Sequence, residues 1–188
     1  MTRPSRHVEP HGVLASARHY IRELVYGAND GLITTFAVVA GVSGGRLPHR
    51  AILIIGTANL LADGLSMAVG NYQAIRAHES VLAASDEPEE EPFPARHALM
   101  TFTAFVIAGA VPLLPYAAGV LPARAFPLSL ALTLLMLFSV GASRAVVSTV
   151  AWWKAGLDML WLGVAVAAVA YAAGLLGARY VGLPSLLE

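Results

Sequence analysis

The sequence predicts an all-α, polytopic membrane protein with five transmembrane helices. Of its 188 residues, 57% are hydrophobic and only 13% are charged, whereas a soluble domain carries about 25% charged residues. The mean hydropathy is +0.66. The apolar residues fall into five runs, each close to the ~20 residues that a helix needs to cross the hydrocarbon core of a bilayer.

The composition also excludes several kinds of site. The formal charge is zero and no basic block occurs, so a nucleic-acid partner is not expected. Because the sequence has no cysteine, it cannot form disulfides or thiolate-based zinc or iron–sulfur sites. The first twenty residues contain no apolar core, and we therefore expect no cleaved signal peptide.

The domain organisation follows from the apolar runs. We predict a tail at 1–23, a five-helix transmembrane domain at 24–177 and a C-terminal tail at 178–188. The expected spans are 24–43, 51–75, 97–120, 126–147 and 156–177. A polar connection at 76–96 separates the second span from the third, and the second helix should continue a few turns into it before its prolines stop the helix.

The first span contains an acid. Asp30 shares a helix face with Thr34, and Gly27 with Gly31 forms a small-xxx-small pattern that lets a second helix approach closely. Asp30 lies only one to two turns from the predicted helix start. An interfacial residue that reaches water is therefore an alternative to a buried functional acid.

The second span is the most informative stretch, because residues four apart stack on one helix face. One such ridge is polar throughout: Asn59, Asp63, Met67 and Asn71. The neighbouring ridge is small throughout and favours close helix packing: Ala58, Ala62, Ser66 and Gly70. An ionised Asp at the centre of a span costs about 2.5–3.5 kcal/mol on insertion scales. This cost indicates a functional role for Asp63.

The connection after the second span is acidic. Its carboxylates would attract divalent cations, and possible metal-capture residues are Glu79, Glu87, Glu90 and Glu91. A solvated acidic loop is the alternative. Three histidines precede the first span, namely His7, His11 and His19. They would form either a weak metal-binding tail or a solvated segment next to the membrane.

The later spans carry fewer functional signals. Pro112 and Pro115 should kink the end of the third span. Basic residues set the orientation, since cytoplasmic segments carry an excess of Lys and Arg. With the N-terminus inside, eight of the twelve basic residues fall on the inner side. We therefore expect a cytoplasmic N-terminus, and the composition favours a bacterial plasma membrane.

Four motifs resemble the vacuolar iron transporter family, and the likeness extends over about 22–177. The first is Tyr26-Gly-Ala-Asn-Asp-Gly-Leu-Ile-Thr-Thr-Phe-Ala-Val-Val-Ala-Gly-Val-Ser-Gly44, and the second is Asn59-Leu-Leu-Ala-Asp-Gly-Leu-Ser-Met-Ala-Val-Gly-Asn-Tyr72. The later two are Pro112-Leu-Leu-Pro-Tyr116 and Gly156-Leu-Asp-Met-Leu-Trp-Leu-Gly163. The first two are specific, and the later two are similar to later helices of that family.

The resemblance implies a five-helix fold that forms a homodimer and moves ferrous iron, often manganese, out of the cytosol in exchange for protons. In that family the metal path lies along the first two helices near the dimer axis. The family's first-helix aspartate corresponds to Asp30 here, and its second-helix methionine corresponds to Met67. Eukaryotic transporters of the family have a glutamate where this chain has Asn59. Here the acid is Asp63, one turn later on the same ridge. With about twenty residues between helices 2 and 3, the chain resembles the shorter branch that lacks a glutamate-rich cytoplasmic module.

The predicted site therefore uses four ligands for a transported Fe2+ or Mn2+, with no prosthetic group. Asp30 and Asp63 carry the charge that neutralises a cation as it loses water. Met67 is a soft ligand that favours transition metals, and Asn59 is a neutral oxygen ligand or an orienting hydrogen-bond partner. If the metal leaves, two facing carboxylates would repel each other and one should bind a proton.

Two other classes of function remain as alternatives. An intramembrane aspartyl protease also needs two aspartates on neighbouring helices, but neither acid here stands in a sequence setting typical of that class. A membrane metal sensor or scaffold would use the His-containing tail and the acidic connection as its functional parts. Deleting 79–91 would abolish function in a sensor and only weaken it in a transporter.

Overall fold

A computed structural model describes residues 4–5, 7, 10–146 and 149–181, and within these ranges the chain is helical with no β-strand. The helices are α1 Val13–His19, α2 Ile21–Gly44, α3 His49–Ala84, α4 Pro94–Ala110, α5 Leu114–Ala117, α6 Pro122–Ser143 and α7 Trp152–Val181. Five segments are long and apolar enough to cross a membrane, with α4 and α5 together forming one of them. The predicted fold class is confirmed.

Several helix bounds differ from the expected spans. Helix α2 begins at Ile21, inside the expected tail. Helix α3 continues past 75 to Ala84, which confirms the expected continuation of the second helix into the polar connection. This extension contains good helix formers such as Ala, Leu, Arg and Glu, and it stops four residues before Pro88. Helix α7 extends to Val181, beyond the expected end at 177. Residue 147, the expected end of the fourth span, and residues 182–188 of the expected C-terminal tail lie outside the described residues.

The expected proline interruption of the third span is present. A 3-10 turn at Val111–Leu113 separates α4 from α5. Pro112 lies in this turn and favours the break, because proline has no amide hydrogen for the α-helical hydrogen bond. Pro112 and Pro115 are fully buried. The Ser129 hydroxyl of α6 donates a 2.6 Å hydrogen bond to the Pro112 carbonyl. The kinked segment is therefore packed against α6 within the bundle.

Helix α2 is central to the fold, since it contacts α3, α4, α6 and α7. Its core residues Leu32, Phe36 and Val39 are almost fully buried. The small-xxx-small pattern of α2 packs on α4. A Cβ atom at Gly27 would lie 2.6 Å from the Thr101 carbonyl oxygen, and one at Gly31 would collide with the Phe105 carbonyl. The close helix approach expected from this pattern is confirmed.

Candidate metal-transport path

Three ridges of α3 have different environments. The ridge that includes Leu60, Gly64 and Ala68 is buried, and Gly64 lies against Phe105 of α4. The small ridge, Ala58, Ala62, Ser66 and Gly70, is exposed throughout. The polar ridge, Asn59, Asp63, Met67 and Asn71, is half-buried throughout. The polar ridge therefore lies at the boundary between the protein core and an uncovered face of α3.

The two transmembrane acids lie near each other. Asp30 of α2 and Asp63 of α3 are both half-buried, and their side chains are close enough for their charges to interact. The Thr34 hydroxyl donates a 2.8 Å hydrogen bond to the backbone carbonyl of Asp30, not to its carboxylate. The fold thus brings together two carboxylates that are 33 positions apart in the sequence.

The rest of the polar ridge extends along α3 in both directions. Met67 packs against the hydrophobic core cluster that contains Phe36 and Phe105. Asn59, one turn before Asp63, is half-buried like it. One turn after Met67, the Asn71 side-chain amide donates a 2.9 Å hydrogen bond to the Thr101 hydroxyl. Oxygen and sulfur donors therefore follow one another along α3.

A cavity of about 380 Å3 opens where α2 begins and α3 ends, which we call the entrance cavity. Its lining joins the end of the polar ridge to the acidic connection and to histidines of several elements. The lining residues are His19, Arg22, Glu23, Asn71, Ala74, Ile75, His78, Glu90, Glu91 and His97. The cavity thus has carboxylates, imidazoles and the Asn71 amide in one lining.

A buried acid–imidazole pair lines part of the entrance cavity. Glu23 and His97 are each only 3% exposed, and the His97 Nδ1 atom is 3.2 Å from Glu23 Oε1. The hydrogen bond to Glu23 Oε1 comes from the exposed Arg22 guanidinium, at 2.9 Å. Sequence reasoning missed this pair, because it assigned residue 23 to a solvated tail and residue 97 to the first position of a span. The sequence did offer one signal for the pair, since Glu23 and His97 are ionisable residues that each lie at the edge of an apolar run.

The predicted capture residues of the acidic connection have different roles in the fold. Glu79 Oε1 accepts backbone hydrogen bonds from Glu90 and Glu91, at 3.0 and 2.7 Å. Glu91 Oε2 is 2.8 Å from His97 Nε2, and Glu90 Oε2 is 3.3 Å from His78 Nε2. Glu87 is exposed and does not line the entrance cavity. The fold brings Glu79, Glu90 and Glu91 together and leaves Glu87 outside this group.

Comparison with protein-family models decides the family. The model described as the VIT family matches residues 21–93 and 85–175, which together span all five transmembrane segments at least in part. The chain belongs to the VIT family. Family membership also sets aside the protease alternative, because VIT family members are transporters and not enzymes.

Individual relatives are similar over part of their length. The chain is 39% identical to a vacuolar iron transporter of Toxoplasma gondii over 71 residues, which are 38% of this chain and 24% of that protein. It is 37% identical over 110 residues to vacuolar iron transporter homolog 5 of Oryza sativa subsp. japonica, covering 54% of this chain and 53% of the relative. Vacuolar iron transporter homolog 2.1 of Arabidopsis thaliana is 33% identical over 133 residues, with 60% of each chain covered. The matched regions thus span from about a quarter to about three-fifths of these relatives.

Proposed function

We propose that this VIT family protein transports a divalent transition metal, Fe2+ first and Mn2+ second, along the boundary between α2 and α3. The observation that carries the proposal is the position of Asp30 and Asp63, both half-buried, on two membrane-spanning helices that pack against each other. The entrance cavity adds support, because it connects the acidic connection to Asn71 at one end of the same polar ridge. The relatives named above are iron transporters or homologs of them by name.

The chemistry of the donors suits transport of such an ion. Two carboxylates offset the charge of a divalent cation that has lost part of its water, which a medium of low dielectric constant otherwise opposes. The Met67 sulfur favours softer transition metals over Mg2+ or Ca2+, while Asn59 supplies a neutral oxygen. A path without thiolates binds its ion moderately, and a transported ion must also be released.

Proton exchange and the direction of transport belong to this proposal. When the ion leaves, the repulsion between the carboxylates of Asp30 and Asp63 favours binding of a proton by one of them. This gives a physical route to exchange of metal for protons. With the N-terminal side facing the cytosol, as the distribution of basic residues predicts, the entrance cavity admits cytosolic metal and transport is outward. If an imposed pH gradient left the metal flux unchanged, the exchange would be refuted.

A homodimer completes the proposed path. The small ridge of α3 is exposed in the single chain, and a Cβ atom at Gly70 would meet no atom within 4 Å. The adjacent apolar residues Leu61, Leu65 and Val69 are each more than half exposed. A second copy packed on this face would cover the open side of the polar ridge. The bacterial plasma membrane expected from composition has no support from the relatives, which are eukaryotic proteins with vacuolar names.

Metal flux into proteoliposomes tests the proposal. We compare the wild-type chain with Asp63→Asn, with Fe2+ and Mn2+ measured in parallel under conditions that keep iron reduced. The matched control is Asp158→Asn, because Asp158 is an exposed acid of α7 outside the α2–α3 boundary. We expect flux in the wild type and in the control, and loss of most flux in Asp63→Asn.

The other outcomes are equally informative. Flux that survives in Asp63→Asn would leave Asp30 as the essential acid and make Asp63 a packing residue. Absence of flux from all three proteins, each folded and oriented, would overturn the transport proposal and favour the metal sensor. Deletion of 79–91 then separates the two functions, because only a sensor depends entirely on the acidic connection.

A further inference from the structure

Three imidazoles lie within 4 Å of one carboxylate oxygen beside the entrance cavity. Glu91 Oε2 is 2.8 Å from His97 Nε2, a hydrogen-bond distance. The same oxygen is 3.8 Å from His7 Nδ1 and 3.9 Å from His19 Nε2. These two distances are too long for hydrogen bonds. They lie within the range of an ion pair.

The two longer distances fit ligands that share a metal ion. Transition-metal bonds to imidazole nitrogen and carboxylate oxygen are about 2.0–2.2 Å long, so two ligands of one ion lie up to about 4.2 Å apart. One potential ligand atom from each of His7, His19 and Glu91 lies within 4.8 Å of the others. His19 Nε2 is buried and makes no hydrogen bond among the described residues. Only a small contraction separates this arrangement from a three-ligand site.

We propose that His7, His19 and Glu91 form a transition-metal site that joins the N-terminal segment to the connection between α3 and α4. Two imidazoles and one carboxylate suit borderline divalent ions such as Fe2+, Co2+ and Zn2+. Mg2+ and Ca2+ prefer oxygen-only coordination and are expected to bind poorly. The site is separate from Asp30 and Asp63 and does not depend on whether the chain transports metal.

The surroundings of Glu91 hold its carboxylate in place. His97 bonds to Glu91 Oε2 from one side, and the buried Glu23 lies 3.2 Å from the other nitrogen of the same ring. Glu79 accepts the backbone N–H groups of Glu90 and Glu91 and so fixes the connection. Hydrogen bonds of this kind orient metal ligands and raise their affinity.

The N-terminal segment contacts the connection between α3 and α4. The backbone N–H of Glu89 donates a 2.9 Å hydrogen bond to the Pro4 carbonyl. The His7 ring packs edge-on against Phe93, at a centroid distance of 5.7 Å, and against His19 at 5.5 Å. These contacts place both histidines before any ion binds. Because His19 and Glu91 also line the entrance cavity, an ion held here would lie beside that cavity.

Co2+ binding to the full chain in nanodiscs tests the site, with visible d–d absorption and equilibrium dialysis as readouts. The wild-type chain serves as the reference, and every other protein carries Asp63→Asn, which removes an acid of the proposed transport path and leaves the N-terminal site intact. Into this background we introduce His19→Ala and, separately, His7→Ala. The matched control is His11→Ala, because His11 is an exposed histidine of the same segment outside the cluster. Size-exclusion chromatography confirms that each variant is folded.

We expect one equivalent of Co2+ with absorption typical of imidazole coordination in the Asp63→Asn background and in the His11→Ala control. His19→Ala and His7→Ala should each lower the Co2+ affinity by at least about tenfold. Equal binding by both histidine variants and their background would overturn the proposal. The proposal would also be overturned if the wild type bound Co2+ and the Asp63→Asn variant bound none, because the ion would then belong to the transport path. Flux measurements decide the transport proposal independently of this result.

Discussion

At the scale of single residues, His97 links the helical bundle to the acidic connection. Its ring is almost fully buried and lies between Glu23 of α2 and Glu91 of the connection, with one nitrogen facing each carboxylate. Removing one partner of a buried polar pair leaves the other with its full desolvation penalty. The imidazole is therefore expected to stabilise the fold as well as the geometry of the entrance.

Replacing His97 tests this stabilising role. We expect His97→Leu to lower the free energy of unfolding by about 1–3 kcal/mol, because the Glu23 carboxylate loses its buried partner. His97→Gln should lose less, since its amide can still donate to one of the two carboxylates. Denaturant unfolding in detergent measures both changes. A double variant that adds Glu23→Gln to His97→Leu should recover part of the loss, and strict additivity would refute the coupling.

At the scale of helices, glycine determines how closely α2 and α4 approach. Gly27 and Gly31 of α2 face backbone atoms of α4. Gly109 of α4 faces Gly31 in turn, because a Cβ atom added to Gly109 would lie 2.7 Å from the Gly31 carbonyl oxygen. Backbone cannot move aside as a flexible side chain can. The contact also fixes Asp30, which immediately precedes Gly31, relative to the rest of the bundle.

Gly31→Ala tests this contact. The added methyl group collides with the Phe105 backbone, and overpacking of this kind costs typically about 1–3 kcal/mol. We expect a clearly lower thermal unfolding midpoint, followed by the fluorescence of the three tryptophans. The control is Gly177→Ala in α7, where an added Cβ meets no atom within 4 Å. Alanine is the better helix former, so this control should be neutral or slightly stabilising.

The sequence predicted the helices better than it predicted their contacts. Length and apolar composition determine a membrane span locally, so all five spans were predictable, and the prolines marked the break after α4. The role of each α3 ridge was not predictable, because Gly64 and Ala68 are as small as Ala58 and Ala62. The first pair is buried, and Gly64 lies against the side chains of Phe102, Phe105 and Val106 of α4, which the sequence of α3 does not reveal.

At the scale of the whole molecule, the candidate sites depend on contacts between distant parts of the chain. The sequence identified Asp30 and Asp63 as acids in apolar spans, a local signal, and their proximity follows from the packing of α2 on α3. The pairing of Glu23 with His97 joins residues 74 positions apart. No local pattern predicts such a pair, because burial of either residue depends on where the other helix lies.

The exposed face of α3 leads to the last prediction, which concerns assembly. Ala62 is exposed on the small ridge, next to Asp63 on the polar ridge, and small residues at a helix contact in lipid allow close approach. Ala62→Leu should therefore weaken the proposed homodimer, while Ala131→Leu, at an exposed position of α6, should leave it unchanged. Crosslinking in liposomes and mass photometry report the dimer fraction. Because a second copy would cover the open side of Asp63, we expect metal flux to fall together with the dimer fraction in Ala62→Leu. A variant that remains fully dimeric would show that the two copies, if they associate, use another face.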